Sequence, residues 1–145
     1  LSEHPELQDR LRTDPSLLPA AIEEILRLHG PLVINRRVAT RTVELGGRTI
    51  EAGDRVTLNW VSVNRDEHAF DNAMTFQLDR DQSKNLLYGA GIHICPGSEL
   101  ARLELRLIME ELLARTAHIA FDPAADPLPA TYPASGYSAL PVMIR

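Results

Sequence analysis

The run Tyr88-Gly89-Ala90-Gly91-Ile92-His93-Ile94-Cys95-Pro96-Gly97 constrains this chain more than any other stretch. It holds the only cysteine in 145 residues, set among three glycines and a histidine, and an amphipathic segment from Glu99 to about Ala117 follows at once. Glycine carries no Cβ, so the backbone can turn sharply here and approach a flat ligand closely. A helix start adds free N–H groups and the positive end of the macrodipole, both of which favour a thiolate. A lone cysteine is usually a small buried hydrophobe. That reading gives no reason for glycines, histidine and helix start to converge on this one. Spacing argues against other chemistries. Gly89-x-Gly91 has Ile94 where a dinucleotide fingerprint needs its third glycine. One cysteine with histidines at 4, 29, 68, 93 and 118 does not make a structural zinc site. A Cys–His nucleophile stays open, although such partners usually lie far apart in sequence.

The run resembles the cysteine-ligand loop of the cytochromes P-450, the heme-thiolate monooxygenases. Their pattern, Phe-Gly-x-Gly-x-His-x-Cys-x-Gly, is matched everywhere except at Tyr88, which stands in the Phe position. The resemblance implies heme b as cofactor, Cys95 as axial iron ligand and His93 against a heme propionate. Gly91 and Gly97 would leave room for the porphyrin, and Tyr88 and Gly89 would complete the cofactor-binding loop. It implies no catalytic residue beyond Cys95.

Upstream, the sequence predicts a helix over residues 2–13, with Ser2 as N-cap and Pro5 in the first turn, broken by Asp14-Pro15. A second helix is predicted from about Pro19 to Leu28, stopped by Gly30 and Pro31. Glu24 and Arg27 share a face of it at i and i+3, a spacing that on a solvated surface contributes only about 0.2–0.5 kcal/mol. Glu24-Ile-Leu-Arg27 also matches the family's Glu-x-x-Arg helix. Residues 33–60 change period. Val43 and Leu45, a Gly46-Gly47 turn and Thr49-Ile50 read as a hairpin, and Val56, Leu58 and Trp60 as a further strand. By resemblance, Arg37 in Arg37-Val-Ala-Thr pairs with a heme propionate, a task suited to a permanently charged, forked guanidinium.

From Asn64 to Leu87 no period of 2 or 3.6 is sustained, and so long an irregular segment in a compact domain is usually functional. The family has one here, the meander, and Asn64-Arg65-Asp66, Phe70, Phe76 and Arg80 fall at its landmarks. Glu67 and Asn72 replace prolines often found in it. The resemblance makes Arg80 the third member of a structural network with Glu24 and Arg27. Beyond the cysteine loop, Leu100, Leu103 and Leu107, with Ala101, Leu105, Ile108 and Leu112, form stripes at helical spacing that read as core packing. Pro123, Pro127, Pro129 and Pro133 mark residues 122–136 as an extended wrap, and Tyr137 to Ile144 as a closing strand pair.

Bulk properties bound the class. A 145-residue chain with 44% hydrophobic residues suits one domain with a real core. No stretch approaches the roughly 18 apolar residues that span a bilayer, and no signal peptide is visible. A single cysteine excludes an internal disulfide and fits the cytoplasm. A net charge of −5 argues against a nucleic-acid partner. The expected fold class is mainly α with small β-sheets.

The resemblance covers essentially residues 1–145 but only the C-terminal, heme-binding part of the family's domain, without its long central helix. It implies a bacterial-type monooxygenase that oxygenates a small apolar substrate using O2 and electrons from a ferredoxin-like or flavoprotein partner. Leu32, Val33 and Ile34 would line the substrate wall, with residues 135–138 as a second patch. A complementary N-terminal chain or self-association is expected to cover the open side. The alternative is a non-catalytic heme-binding or partner-binding remnant of the same fold.

Overall fold

The computed structural model describes residues 1–145. Helix α1 spans Pro5–Thr13. Pro5 opens it where a missing N–H costs nothing, and Arg10 and Arg12 sit in its last turn, where cations suit the dipole. Ser2 does not cap it. His4 occupies that position without a side-chain hydrogen bond, because Pro5 fixes the helix entry at its own φ. Asp14 ends α1 by accepting the Ser16 backbone N–H at 3.1 Å. A 3-10 turn at Pro15–Leu17 then leads directly into α2, Leu18–Leu28.

Strands β1 (Ile34–Val38) and β4 (Arg55–Asn59) pair antiparallel, with Arg37 opposite Val56. Between them β2 (Val43–Leu45) and β3 (Arg48–Ile50) form the predicted hairpin. Gly46 and Gly47 both take positive φ (58° and 74°), the conformation a tight two-residue connection demands. Trp60 does not extend the strand. The Asn59 side chain accepts the Ser62 N–H at 3.0 Å and starts the short helix α3, Trp60–Val63. The Trp60 indole N–H reaches back to Asn35 Oδ1 at 2.8 Å.

Apart from a 3-10 turn at Gly91–His93, the chain is then irregular until α4, Ser98–Arg115. Strand β5 (Ile119–Phe121) pairs with β8 (Val142–Ile144), and β6 (Leu128–Pro129) with β7 (Tyr137–Ala139). This corrects two expectations. The proline-rich wrap contains a strand, since Pro129 sits in a two-residue edge ladder that tolerates a missing donor. Residues 137–144 do not pair with each other: β7 and β8, separated by the irregular Leu140-Pro141, pair with β6 and β5 respectively.

The packing centre is small. Leu11, Leu18, Ala21 and Leu113 form one cluster of α1, α2 and the end of α4, and only 15 of 145 residues are buried. Gln8 ties β5 to this cluster, donating to the Ile119 carbonyl at 2.7 Å and accepting the Ile119 N–H at 3.0 Å. The expectation of a substantial core, and of the α4 stripes as part of it, therefore fails. Leu100, Leu103, Leu107 and Ile108 are exposed, Ala101, Leu105 and Leu112 are half-buried, and of the helix only Ser98 and Leu113 are enclosed. Helical periodicity reports an apolar face, and α2 covers only one flank of it, where Arg102 meets Glu23 at 2.7 Å. No helix is long and apolar enough to cross a membrane.

Candidate functional site

Glu24 and Arg27 stand one turn apart on α2, and both side chains are fully buried. Arg27 Nε donates to Glu24 Oε2 and Nη2 to Oε1, each at 2.8 Å. Arg80 arrives from the irregular segment and donates Nε to Glu24 Oε1 at 2.8 Å. Gln82 Nε2 (2.9 Å) and the Gln77 backbone N–H (3.2 Å) complete the shell. Burial alone would raise the Glu24 pKa, but the hydrogen bonds from Arg27, Arg80 and Gln82 outweigh it and hold the carboxyl at about 2. The arginines spend their remaining donors on the meander. Arg27 Nη1 reaches the carbonyls of Asn64 (2.6 Å) and Ala73 (2.7 Å). Arg80 reaches those of Asp71 (2.7 Å), Asn72 (3.1 Å) and Thr75 (2.8 Å). Both guanidinium groups also lie over the Phe70 ring, at 5.1 and 6.0 Å. An aperiodic segment thus acquires one conformation because its carbonyls satisfy two buried cations. Asn72 takes φ 49°, a value closed to proline, which accounts for the departure from the expected residue type there.

The cysteine loop is closed by the Cys95 N–H donating to the Tyr88 carbonyl at 2.8 Å, with Gly89 N–H to Leu86 O at 2.9 Å and Ile94 N–H to Gly91 O at 3.2 Å. Gly89 is required twice over. Its φ is 76°, and an added Cβ would lie 3.1 Å from the His93 carbonyl oxygen. Gly91, at φ 60°, has open space where its Cβ would be, and a Cβ on Gly97 would lie 3.9 Å from the Cys95 sulfur. Residues 91–97 are all exposed, including Cys95, His93 and the apolar Ile92 and Ile94. The loop therefore presents a thiol and a glycine surface outward, immediately before α4 begins.

Tyr88 is held from the other side. Arg102 of α4 lies over its ring at 4.5 Å and donates to Glu23 of α2 at 2.7 Å and to Glu99 at 2.6 Å. Burial, reinforced by the Glu23 charge and partly opposed by Arg102, raises the Tyr88 pKa. Adjacent residues of one helix, Glu23 and Glu24, thus anchor the loop and the meander respectively.

The remaining candidates lie on the β1 side. Arg37 is half-buried, points to the opposite face of β1 from exposed Arg36, and donates Nη1 to the Arg36 carbonyl at 2.9 Å. Pro31, Leu32 and Val33 are brought to residues 133–135, at the edge of the second patch. Leu32 bridges Ala134, Val33 N–H donates to Pro133 O at 3.1 Å, and Ser135 N–H to Pro31 O at 2.8 Å. Sequence reasoning missed Gln82, Asn85 and the Tyr88–Arg102–Glu23 contact.

Comparison with known proteins agrees with this geometry. The family model described as Cytochrome P450 matches residues 1–129. Cytochrome P450 126 of Mycobacterium tuberculosis is 49% identical over 115 residues, covering 79% of this chain and 28% of that protein. A methyl-branched lipid omega-hydroxylase of Mycobacterium bovis is 44% identical over 114 residues, 77% of this chain and 27% of that protein. Among solved structures, CYP109E1 from Bacillus megaterium in complex with testosterone superposes with a TM-score of 0.92 at 31% identity, covering 100% of this chain and 40% of that one. The chain thus spans well under half the length of these relatives.

Proposed function

The chain belongs to the cytochrome P450 family, and we propose that it forms the heme-binding C-terminal part of a monooxygenase that oxygenates a small apolar molecule. The observation that carries this reading is the outward-facing Cys95 thiol in a loop whose flanking glycines carry no Cβ, closed onto Tyr88 and opening directly into α4. The residues fit heme b. A heme takes a soft axial ligand from the protein and brings its other ligands with it, and Cys95 offers one exposed thiol free of any disulfide. A flat macrocycle in turn needs the space that Gly91 and Gly97 leave free.

When bound, the heme supplies oxygen activation, favoured by electron donation from the thiolate. The chain's own contribution is positional. Cys95 would hold the iron, and His93 and the forked Arg37 guanidinium would donate to the propionates. Leu32, Val33 and Ile34, backed by Ala134 and Ser135, supply the apolar wall. The names of two relatives, a lipid hydroxylase and a testosterone complex, support an apolar substrate. A ferredoxin-like protein or a flavoprotein would deliver the electrons. The exposed leucine face of α4 supports a covering by complementary N-terminal P450 polypeptide, because contiguous apolar patches beyond a few hundred Å² are uncommon on free surfaces.

The test is turnover of the heme-loaded protein combined with a complementary N-terminal P450 polypeptide, a ferredoxin, its reductase and NADPH, offering testosterone and a methyl-branched fatty acid. A product heavier by one oxygen atom, formed only when O2 is present, is expected from at least one of them. Heme binding with no oxygenation of any apolar substrate would return the protein to a binding role.

A further inference from the structure

Two polar threads run from the buried charge cluster to the backbone that holds the cysteine. On the first, Gln82 Nε2 donates to Glu24 Oε2 at 2.9 Å, Asn85 Nδ2 donates to Gln82 Oε1 at 3.0 Å, and the Leu87 N–H donates to Asn85 Oδ1 at 2.9 Å. On the second, the carbonyl of fully enclosed Asn64 takes Arg27 Nη1 at 2.6 Å while its side-chain Oδ1 takes the Leu86 N–H at 2.9 Å. Leu86 and Leu87 lead straight into Tyr88, whose carbonyl receives the Cys95 N–H, and the Leu86 carbonyl receives Gly89 N–H. Each amide in the first thread uses one end as donor and the other as acceptor, so the direction of hydrogen bonding is fixed by the carboxylate at its origin. A carboxylate can only accept. Gln82 must therefore turn its NH2 to Glu24 and its oxygen to Asn85, which leaves Asn85 its oxygen for Leu87.

We infer that Gln82 and Asn85, with Asn64 in parallel, are positioning residues that transmit the rigidity of the Glu24–Arg27–Arg80 cluster to the Cys95 loop, and so hold the thiolate in its ligating orientation. The inference rests on the reading of Cys95 as a heme ligand, and goes beyond it by assigning the loop's stiffness to three amide side chains. None of the three touches substrate or cofactor in this role. The relay explains why a loop exposed along residues 91–97 has a defined conformation at all. Its anchor lies on the enclosed side, at residues 86 and 87.

The experiment uses the heme-loaded protein and the variants Gln82→Leu, Asn85→Leu and Asn85→Asp. Amide hydrogen exchange of residues 86–95 is read with and without heme, beside the persistence of the red-shifted Soret band of the reduced carbon-monoxide complex. Asn85→Leu and Gln82→Leu should each speed loop exchange by about tenfold, the effect of one lost buried hydrogen bond. The red-shifted band should decay several-fold faster, with exchange in α1 and β1–β4 unchanged. Asn85→Asp keeps the acceptor for Leu87 N–H but loses the donor to Gln82, and should fall between the parent and Asn85→Leu. The Gln82→Leu/Asn85→Leu double variant should be little worse than either alone, since both cut one thread. Unchanged loop exchange in both leucine variants overturns the inference, as does an effect spread evenly over the whole fold. Absence of any red-shifted band in the parent, with loop exchange still responding, would instead refute the ligand reading and leave the relay standing.

Discussion

Replacing Glu24 with Gln is the sharpest perturbation of the scaffold. Five donors converge on the Glu24 carboxylate. The substitution turns one of its oxygens into an NH2 group facing those donors and removes the only carboxylate ion-paired with Arg27 and Arg80. Arg27 is fully enclosed, so its charge cannot recover solvation without opening the fold. Breaking a buried pair in this way costs about 3–5 kcal/mol. The carbonyls of Asn64 and Ala73 on Arg27, and of three meander residues on Arg80, remain as acceptors, which places the loss toward the lower end. Acid provides an independent measure. Glu24 lies at about 2 when folded against an ordinary 4.5, so it contributes stability that is present above pH 4.5 and lost as pH falls toward 2. The difference amounts to about 3 kcal/mol, at 1.36 kcal/mol per unit. Urea unfolding at pH 7 should show the full loss in Glu24→Gln, and a pH series from 5 to 2 should show a steeper decline in the parent than in the variant. A loss below about 0.5 kcal/mol at pH 7, or parallel pH curves, would refute the argument and return the pair to the value of an exposed one.

Gly89→Ala should destabilise the loop, because Ala at φ 76° costs about 1–2 kcal/mol and its methyl would press on the His93 carbonyl; heme affinity measured by titration should fall while α1 and α2 keep their helical signal. Pro96→Leu should raise the heme reduction potential, since it restores a backbone N–H beside the sulfur and hydrogen bonds to a ligating thiolate tune the potential upward; spectroelectrochemical titration that finds the potential unchanged or lowered would show that the new donor points elsewhere. Glutamate in place of Leu103 and Leu107 on the exposed face of α4 should weaken association with complementary P450 polypeptide in sizing experiments, with little effect on the stability of this part of the chain.

Local chemistry was readable where it is local. Pro5, the Asp14-Pro15 break, and the Gly46-Gly47 turn each act within a few residues, and the elements appeared close to their expected bounds. Glu24 and Arg27 were recognisable as a pair on one face, and Arg80 only through resemblance to a family motif, because nothing periodic connects residue 80 to residue 24. Pairings that depend on distant chain stayed hidden. The union of β5 with β8, and of β6 with β7, joins segments whose strand patterns carry no mark of their partners. The leucines of α4 show the limit from another side, since periodicity reveals which face is apolar and not what lies against it. Gln82 and Asn85 carried no signal at all, being ordinary polar residues in an aperiodic stretch whose purpose emerges only from the direction of their hydrogen bonds.

The central claim is that Cys95 ligates a heme iron through its thiolate, and one absorbance spectrum addresses it most directly. The reduced, carbon-monoxide-treated, heme-loaded protein should show the strongly red-shifted Soret band of thiolate ligation. Cys95→Ala should lose that band while retaining α4, whose packing at Leu113 does not involve the sulfur. An unshifted Soret band in the parent, or a red-shifted band that survives in Cys95→Ala, would contradict the account.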